Sequence, residues 1–213
     1  MRRGIDLSLP PRPDLNLERL LWKASLRWIG GVDEAGRGAL AGPVAAALVV
    51  LTPHLHLSRT LAGVRDSKQM TPPQREIWAA RIKEVALAWG VGFASAEEID
   101  VLGIVPATRL AATRALESLS ITPEYLITDY LLLSEIPLPQ IALVKGDRRS
   151  LTIAAASVLA KTARDALMQG MDAQYPGYGF ARHKGYGTPQ HREALRRMGI
   201  CAIHRRSFSL HRP

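Results

Sequence analysis

The chain has 213 residues, 47% apolar and 22% charged, which suits one globular domain with a small appendage and lets folding bury roughly 70% of the unfolded surface. Its single cysteine, Cys201, excludes an intramolecular disulfide scaffold and a thiolate zinc cluster, so the expected setting is reducing and cytoplasmic. The net charge is +9, yet residues 1–144 carry 15 charges of each sign, while residues 145–213 carry 13 basic and 4 acidic side chains. That one-sided footprint fits a protein that holds a polyanion, the alternative being a solvated basic surface.

Residues 1–13 are Pro-rich and aperiodic and are expected to form a loose tail. Arg2 and Arg3 do not begin an export signal, because Asp6, Pro10, Pro11 and Pro13 interrupt the apolar region it would need. Asp14 is expected to cap a short helix with Leu17, Leu20, Leu21 and Ala24 on one face. Residues 27–33 read as a first strand, followed by a glycine-rich break and a second strand over 44–51. The longest apolar run, residues 39–51, is interrupted by Gly42 and Pro43 and falls short of the ~20 residues that span a bilayer. Thr71-Pro72-Pro73-Gln74 opens a helix with Ile77, Ile82 and Val85 on one face. A third strand is expected over 86–93, then a capping box at Ser95 opening a short helix that ends near Gly103, and a helix over 106–119 with Leu110 and Leu116 inward. Residues 125–128 and 141–144 read as strands four and five. The longest helix covers 151–169, its stripe of Leu151, Ala154, Ala155, Val158, Leu159 and Thr162 small enough to pack closely on a sheet. A last helix opens at Thr188-Pro189 and closes at Gly199. The expected organisation is a tail and helix over 1–26, a main domain over 27–175, and a helical C-terminal region over 176–213.

Four acids stand where strands meet loops: Asp33 and Glu34 after the first, Asp129 after the fourth, Asp147 after the fifth. Sites in α/β sheets form at such ends. Converging carboxylates repel one another unless a hard cation neutralises them, and Mg²⁺ or Mn²⁺ take an all-oxygen ligand set suited to phosphodiester hydrolysis. For Asp33 and Glu34 to share a metal the strand must end or bend there, since neighbouring strand residues point to opposite faces. Gly36 to Gly42 has GxGxxxG spacing, with Pro43 where a dinucleotide-binding helix should be under way, and the adjoining acids would repel a pyrophosphate. Lys68, Lys145, Lys161, Arg164 and Lys184 are candidate phosphate contacts. Ser150, ahead of the long helix, offers an amino end that could cap Asp147 or face a phosphate. His183, His191 and His204 are expected to be structural or solvent-facing, not metal ligands.

The run Gly31-Val32-Asp33-Glu34-Ala35-Gly36-Arg37-Gly38, with Leu40-Ala41-Gly42-Pro43-Val44, resembles the signature of ribonuclease HII, the type 2 ribonuclease H family. So do Asp66-Ser67-Lys68, Lys145-Gly146-Asp147 through Asp165, Tyr175-Pro176-Gly177-Tyr178-Gly179-Phe180, His183-Lys184-Gly185-Tyr186-Gly187-Thr188 and His204-Arg205-Arg206-Ser207-Phe208, in the family's order over residues 29–208. The resemblance implies an α/β ribonuclease H-like fold, a mixed five-stranded sheet flanked by helices. It also implies endonucleolytic cleavage of RNA in RNA–DNA hybrids and 5′ of single ribonucleotides in duplex DNA, leaving 3′-hydroxyl and 5′-phosphate ends. Asp33, Glu34, Asp129 and Asp147 would then hold Mn²⁺ or Mg²⁺. Gly36, Arg37 and Gly38 would contact the ribose 2′-hydroxyl and flanking phosphate, and Tyr186 would stack on the following deoxyribose. A monomer is expected, and the competing reading is a nucleic-acid-binding module without catalysis. One departure stands out: Tyr130 follows Asp129 where the family usually has glycine.

Overall fold

The computed structural model describes residues 9–54 and 56–209; of the expected tail over residues 1–13, residues 1–8 lie outside them. Five strands, β1 (Ile29–Ala35), β2 (Val44–Leu51), β3 (Ala88–Ala94), β4 (Tyr125–Asp129) and β5 (Gln140–Leu143), form one sheet in the order β3-β2-β1-β4-β5. β2 pairs antiparallel with β1 and β3, and the β1-β4-β5 half is parallel. The helices are α1 (Asn16–Lys23), α2 (Leu57–Thr60), α3 (Pro72–Val85), α4 (Ala96–Leu102), α5 (Ile104–Glu117), α6 (Leu151–Gln174), α7 (Phe180–His183) and α8 (Pro189–Met198). The mixed sheet flanked by helices is therefore the architecture the sequence implied. Among the described residues no helix is long and apolar enough to cross a membrane.

All eight residues of β2 are buried, because helices cover both faces of the sheet. On one face α6 presents Ala154, Ala155 and Val158 to Ala47, Val49 and Leu51; on the other, Ala107, Ala111, Ala112 and Ala115 of α5 meet Ala46, Leu48 and Val50. Small side chains set this close approach. At Gly31 even a Cβ would fall 2.5 Å from the Thr152 carbonyl carbon, so only glycine lets α6 lie on β1 at this point. Ser95 and Glu98 form the expected reciprocal cap, the Ser95 hydroxyl accepting from the Glu98 amide at 3.1 Å and the Glu98 carboxylate from the Ser95 amide at 2.8 Å.

Several expectations are corrected. β1 runs on through Glu34 and Ala35, held in register by Asp33↔Ala47 and Glu34↔Ala46, so the strand does not end at its acids. β3 and β5 each lie one or two residues from their expected bounds, and α6 extends to Gln174. Ile77 is 67% exposed, the inward positions of α3 being Arg75, Ala79 and Ile82. Leu110 and Leu116 flank the alanine face of α5 instead of forming it. Asp14 lies one residue ahead of the N-cap, Leu15, yet its carboxylate does accept the first helical amide, that of Asn16, at 2.8 Å; its own amide donates to the Arg149 carbonyl and its carbonyl accepts from the Leu151 amide. The residue α1 buries is Glu18, while Leu20 is 64% exposed.

Candidate metal centre and substrate cleft

Parallel pairing of β1 with β4 and β4 with β5 puts their carboxyl ends side by side, and this placement gathers the acids. Oxygens of Asp33, Asp129 and Asp147 lie within 4.8 Å of one another. Asp33 and Asp147 are each 5% exposed. The Asp147 loop is tied to β4 by the Gly146 amide, which donates to Asp129 Oδ1 at 2.7 Å. Glu34, the next residue along a regular strand, diverges from Asp33 and pairs with Arg37 at 3.2 Å.

Crowded buried carboxylates hold their protons. Burial, then the Glu34 charge, raises Asp33 well above the usual carboxylate range; burial followed by Asp66 and Asp129 lifts Asp147 to about 6. Burial also raises Asp129, and raises Glu34 against the opposing pull of Arg37. The cation facing the group is Lys68: burial disfavours its ammonium, but Asp33, Asp66, Asp147 and Asp129 outweigh that and raise its pKa. An all-oxygen donor set this close, desolvated and short of positive charge, fits a divalent ion of the Mg²⁺ or Mn²⁺ type.

Beside the acids lies a cleft of about 300 Å³ lined by Glu34, Gly36, Arg37, Gly38, Lys68, Lys161 and Tyr186. Gly36 has φ +92°, and a Cβ there would strike the Arg164 side chain. A larger hollow of about 540 Å³ shares Lys161 and Tyr186 with the cleft and is lined also by Arg75, Arg182 and Lys184. Lys161 pairs with Asp165 at 2.6 Å, and its ammonium and the Arg164 guanidinium lie 5.7 Å and 5.4 Å from the Tyr186 ring centroid. Lys145 is exposed in a left-handed conformation with φ 56°, and Lys184 is half-buried with φ 53°.

Two expected phosphate contacts are placed elsewhere. Arg164 is 0% exposed, its guanidinium donating to the carbonyls of Pro43 at 2.8 Å, Lys184 at 2.9 Å and Ala41 at 3.1 Å. Ser150 is 1% exposed and its hydroxyl serves Glu18 and the Ile153 amide. Both are framework groups whose polar atoms are already engaged. The three histidines are buried together: His183 stacks on His191 with ring centroids 4.4 Å apart, and His191 meets His204 through their Nε2 atoms at 3.0 Å.

Sequence reasoning gave no role to Asp66, which is buried, acts on the Asp147 carboxyl and accepts from the Lys68 amide. It also passed over Ser157, which opposes the rise of the Asp33 pKa and whose hydroxyl donates to Ser67 Oγ at 2.9 Å, and Arg205, which donates to the carbonyls of Gly42 at 2.9 Å and Arg37 at 2.8 Å. All three sit inside the segments quoted for the resemblance, Ser157 within the long stretch from Lys145 to Asp165, but no local pattern marks any of them as a site residue.

The Ribonuclease HII family model matches residues 30–211. The chain belongs to the ribonuclease HII family. It is 55% identical to ribonuclease HII of Synechococcus sp. over 93% of this chain and 89% of that protein, and 51% identical to a ribonuclease HII of Thermus thermophilus over 91% of each. The solved ribonuclease HII of Archaeoglobus fulgidus, seen in complex with PCNA, superposes with a TM-score of 0.72 at 26% identity, covering 87% of this chain and 97% of that one. The protein is accordingly a metal-dependent endoribonuclease, and the carboxylate cluster lies within the matched region.

Proposed function

We propose that this ribonuclease HII hydrolyses the RNA strand of RNA–DNA hybrids and also incises 5′ of single ribonucleotides embedded in duplex DNA, leaving 3′-hydroxyl and 5′-phosphate ends. The observation that carries this reading is the convergence of Asp33, Asp129 and Asp147 next to Glu34 and Lys68, which line a cleft with Gly36 to Gly38 and Tyr186. Those three aspartates, with Glu34 at their edge, would hold Mn²⁺ or Mg²⁺, which would supply Lewis-acid charge to the scissile phosphate and a more acidic water.

The chain's own groups do the rest. Gly36 to Gly38, without side-chain bulk at the glycines, bring backbone to the 2′-hydroxyl, the group that separates RNA from DNA irrespective of base. Arg37 and Lys68 meet the flanking phosphate, Tyr186 stacks on the next sugar, and Lys145, Lys161 and Lys184 position the duplex by charge. Residues 27–175 supply the chemistry and residues 176–213 the wall that carries Tyr186, in a monomer working in the cytoplasm.

The test is cleavage of a labelled duplex containing one ribonucleotide, beside a full hybrid and an all-DNA duplex, with Mn²⁺, Mg²⁺ or EDTA. Incision 5′ of the lone ribonucleotide, dependent on metal and absent from all-DNA, is expected. Cleavage of the hybrid alone would remove the embedded-ribonucleotide activity, and no cleavage of either would remove both.

A further inference from the structure

An apolar face was expected to dock α1, yet the side chain it buries completely is a carboxylate. Glu18 is 0% exposed, and its Oε1 accepts from the Ser150 hydroxyl at 2.6 Å, the Thr152 hydroxyl at 2.7 Å and the Thr152 amide at 3.1 Å. Just upstream, the Asp14 amide donates to the Arg149 carbonyl at 3.1 Å and the Asp14 carbonyl accepts from the Leu151 amide at 2.7 Å. Residues 14–18 thus grip residues 149–152 from both side chain and backbone. Leu17, Leu21 and Trp22 hold α1 against Ile29, Ile127 and Ile153. The α1 side of this grip, residues 14–22, lies ahead of the region the family model matches, which begins at residue 30.

The gripped segment carries a site residue. Asp147 stands in the turn Gly146–Arg148, whose first residue is bound to Asp129 Oδ1 and whose carbonyl at Gly146 accepts from the Arg149 and Ser150 amides at 2.9 and 2.8 Å. Its backbone is therefore suspended between two anchors, Asp129 on the sheet side and Ser150 on the helix side. Ser150 is in turn fixed by Glu18. Burying a carboxylate on hydroxyl and amide partners alone is costly, whereas a ligand oxygen must be held to within about 0.5 Å to serve a metal. The amino end of a 24-residue helix also favours a negative charge.

We propose that Glu18 is a positioning residue for metal binding: through Ser150 and Thr152 it fixes the amino end of α6 and thereby the Asp147 carboxylate. This rests on the reading of Asp33, Asp129 and Asp147 as metal ligands. The segment ahead of the nuclease core then belongs functionally to the metal centre.

The experiment uses the full chain and the variants Glu18→Ala, Glu18→Gln and Thr152→Val. Mn²⁺ is titrated calorimetrically into metal-free protein without substrate, and hybrid cleavage is followed against Mn²⁺ and hybrid concentration, all below the melting transition of each variant. Glu18→Ala is expected to weaken Mn²⁺ binding at least about tenfold, in the range for groups that orient metal ligands, with the KM for hybrid unchanged. Glu18→Gln keeps an acceptor oxygen for all three donors and should restore affinity to within about threefold of the parent. Thr152→Val deletes one hydroxyl, should cost about threefold, and decides the matter if Glu18→Ala does not fold. Wild-type Mn²⁺ affinity in Thr152→Val and in any folded Glu18→Ala, with only a lowered Tm, would overturn the proposal, as would Glu18→Gln being as impaired as Glu18→Ala. Parent protein that binds Mn²⁺ but leaves hybrids intact would refute the proposed function while the calorimetric comparison still judged Glu18; no Mn²⁺ binding by the parent would overturn both.

Discussion

The acid end of the sheet and the histidine-lined C-terminal module are both buried and polar, but they are built on opposite rules. At the sheet end, like charges are brought together and partners are scarce: carboxylate pKa values rise, and the buried Thr128 hydroxyl has no hydrogen-bond partner. In the C-terminal module each ring nitrogen is spoken for. The His183 Nε2 faces the Tyr178 carbonyl and its Nδ1 accepts from the Gly185 amide; His191 Nδ1 faces the Tyr186 carbonyl; His204 Nδ1 accepts from the Cys201 amide. Those partners assign one neutral tautomer to each ring, with His204 Nε2–H donating to His191 Nε2. Apart from Arg205 Nη2, the arginines that lace this module to the Gly36 loop are similarly engaged. Unpaired charge marks the place that waits for a ligand, and paired polarity marks the frame that aims Tyr186 at it.

The sharpest way to break the contrast is Asp33→Asn. Loss of a metal-binding carboxylate should lower hybrid cleavage at least ~10²–10³-fold, while hybrid binding measured in EDTA persists. The same change removes a desolvated charge repelled by Glu34, so the metal-free variant should gain ~1–2 kcal/mol in urea denaturation. Cleavage lost together with stability would mean that the acids are framework after all.

The next effect belongs to the frame. Arg164→Met leaves the Pro43, Ala41 and Lys184 carbonyls without their donor, a loss of ~3–5 kcal/mol by denaturation. The gentler Arg164→Lys, bound to uncleaved hybrid in EDTA, should leave the slope of log affinity against log salt unchanged. Lys145→Ala, which removes an exposed cation, should flatten that slope by about one unit. Equal changes in the two variants would return Arg164 to the phosphate contacts.

How much of this was legible in the sequence follows the same division. The acids announced themselves because they lie near the carboxyl ends of β1, β4 and β5, and the capping boxes at Thr71 and Ser95 because their partners are three residues away. Glu18, Arg164 and Arg205 were not legible as buried groups. Hydrophobic patterning assigns charge to the surface, and each of the three has a partner more than 100 residues away in the sequence that reverses that assignment. Ile77 was misplaced for the complementary reason: Arg75 takes the inward position, bound to the Ser67 and Met70 carbonyls and to Asp165. The end of β1 was set too early because Asp33 and Glu34 were made to share one face, whereas the strand simply continues and hands Glu34 to Arg37.

The two regions should also titrate in opposite directions. Burial, above all, lowers His191 to about 4 from an ordinary 6.5, with His183 and His204 shifted the same way. Between those values the unfolded chain binds more protons than the native one, so stability falls as pH drops, by ~2 kcal/mol for His191 between pH 6.5 and 5. Asp147, at about 6 against 3.8, does the reverse: the native state takes up its proton first, and stability rises as pH drops from 6 towards 3.8. In EDTA the two oppose each other. Asp147→Asn should therefore steepen the loss between pH 7 and pH 5 by ~1 kcal/mol, read from urea midpoints at the two pH values; identical losses in parent and variant would show that the opposition is absent.

The smallest effect tests the residue at the seam. Tyr130 follows Asp129 with φ 60° and is 68% exposed, a left-handed conformation that costs a bulky L-residue ~1–2 kcal/mol and glycine almost nothing. Tyr130→Gly relieves that strain but returns ~0.5–1 kcal/mol to the unfolded chain as backbone entropy. The balance is a gain of up to ~1.5 kcal/mol, a Tm higher by at most ~3–6 °C for a chain of this length. The Tyr130 amide donates to the Leu143 carbonyl whatever the side chain, so β4, β5 and the Asp129 carboxylate keep their places and hybrid cleavage should stay within twofold or so of the parent. A Tm that falls would show that the ring contributes contacts outweighing its strained backbone. A Tm that rises while cleavage drops would assign Tyr130 to the substrate, and so move the edge of the functional region one residue beyond the acids.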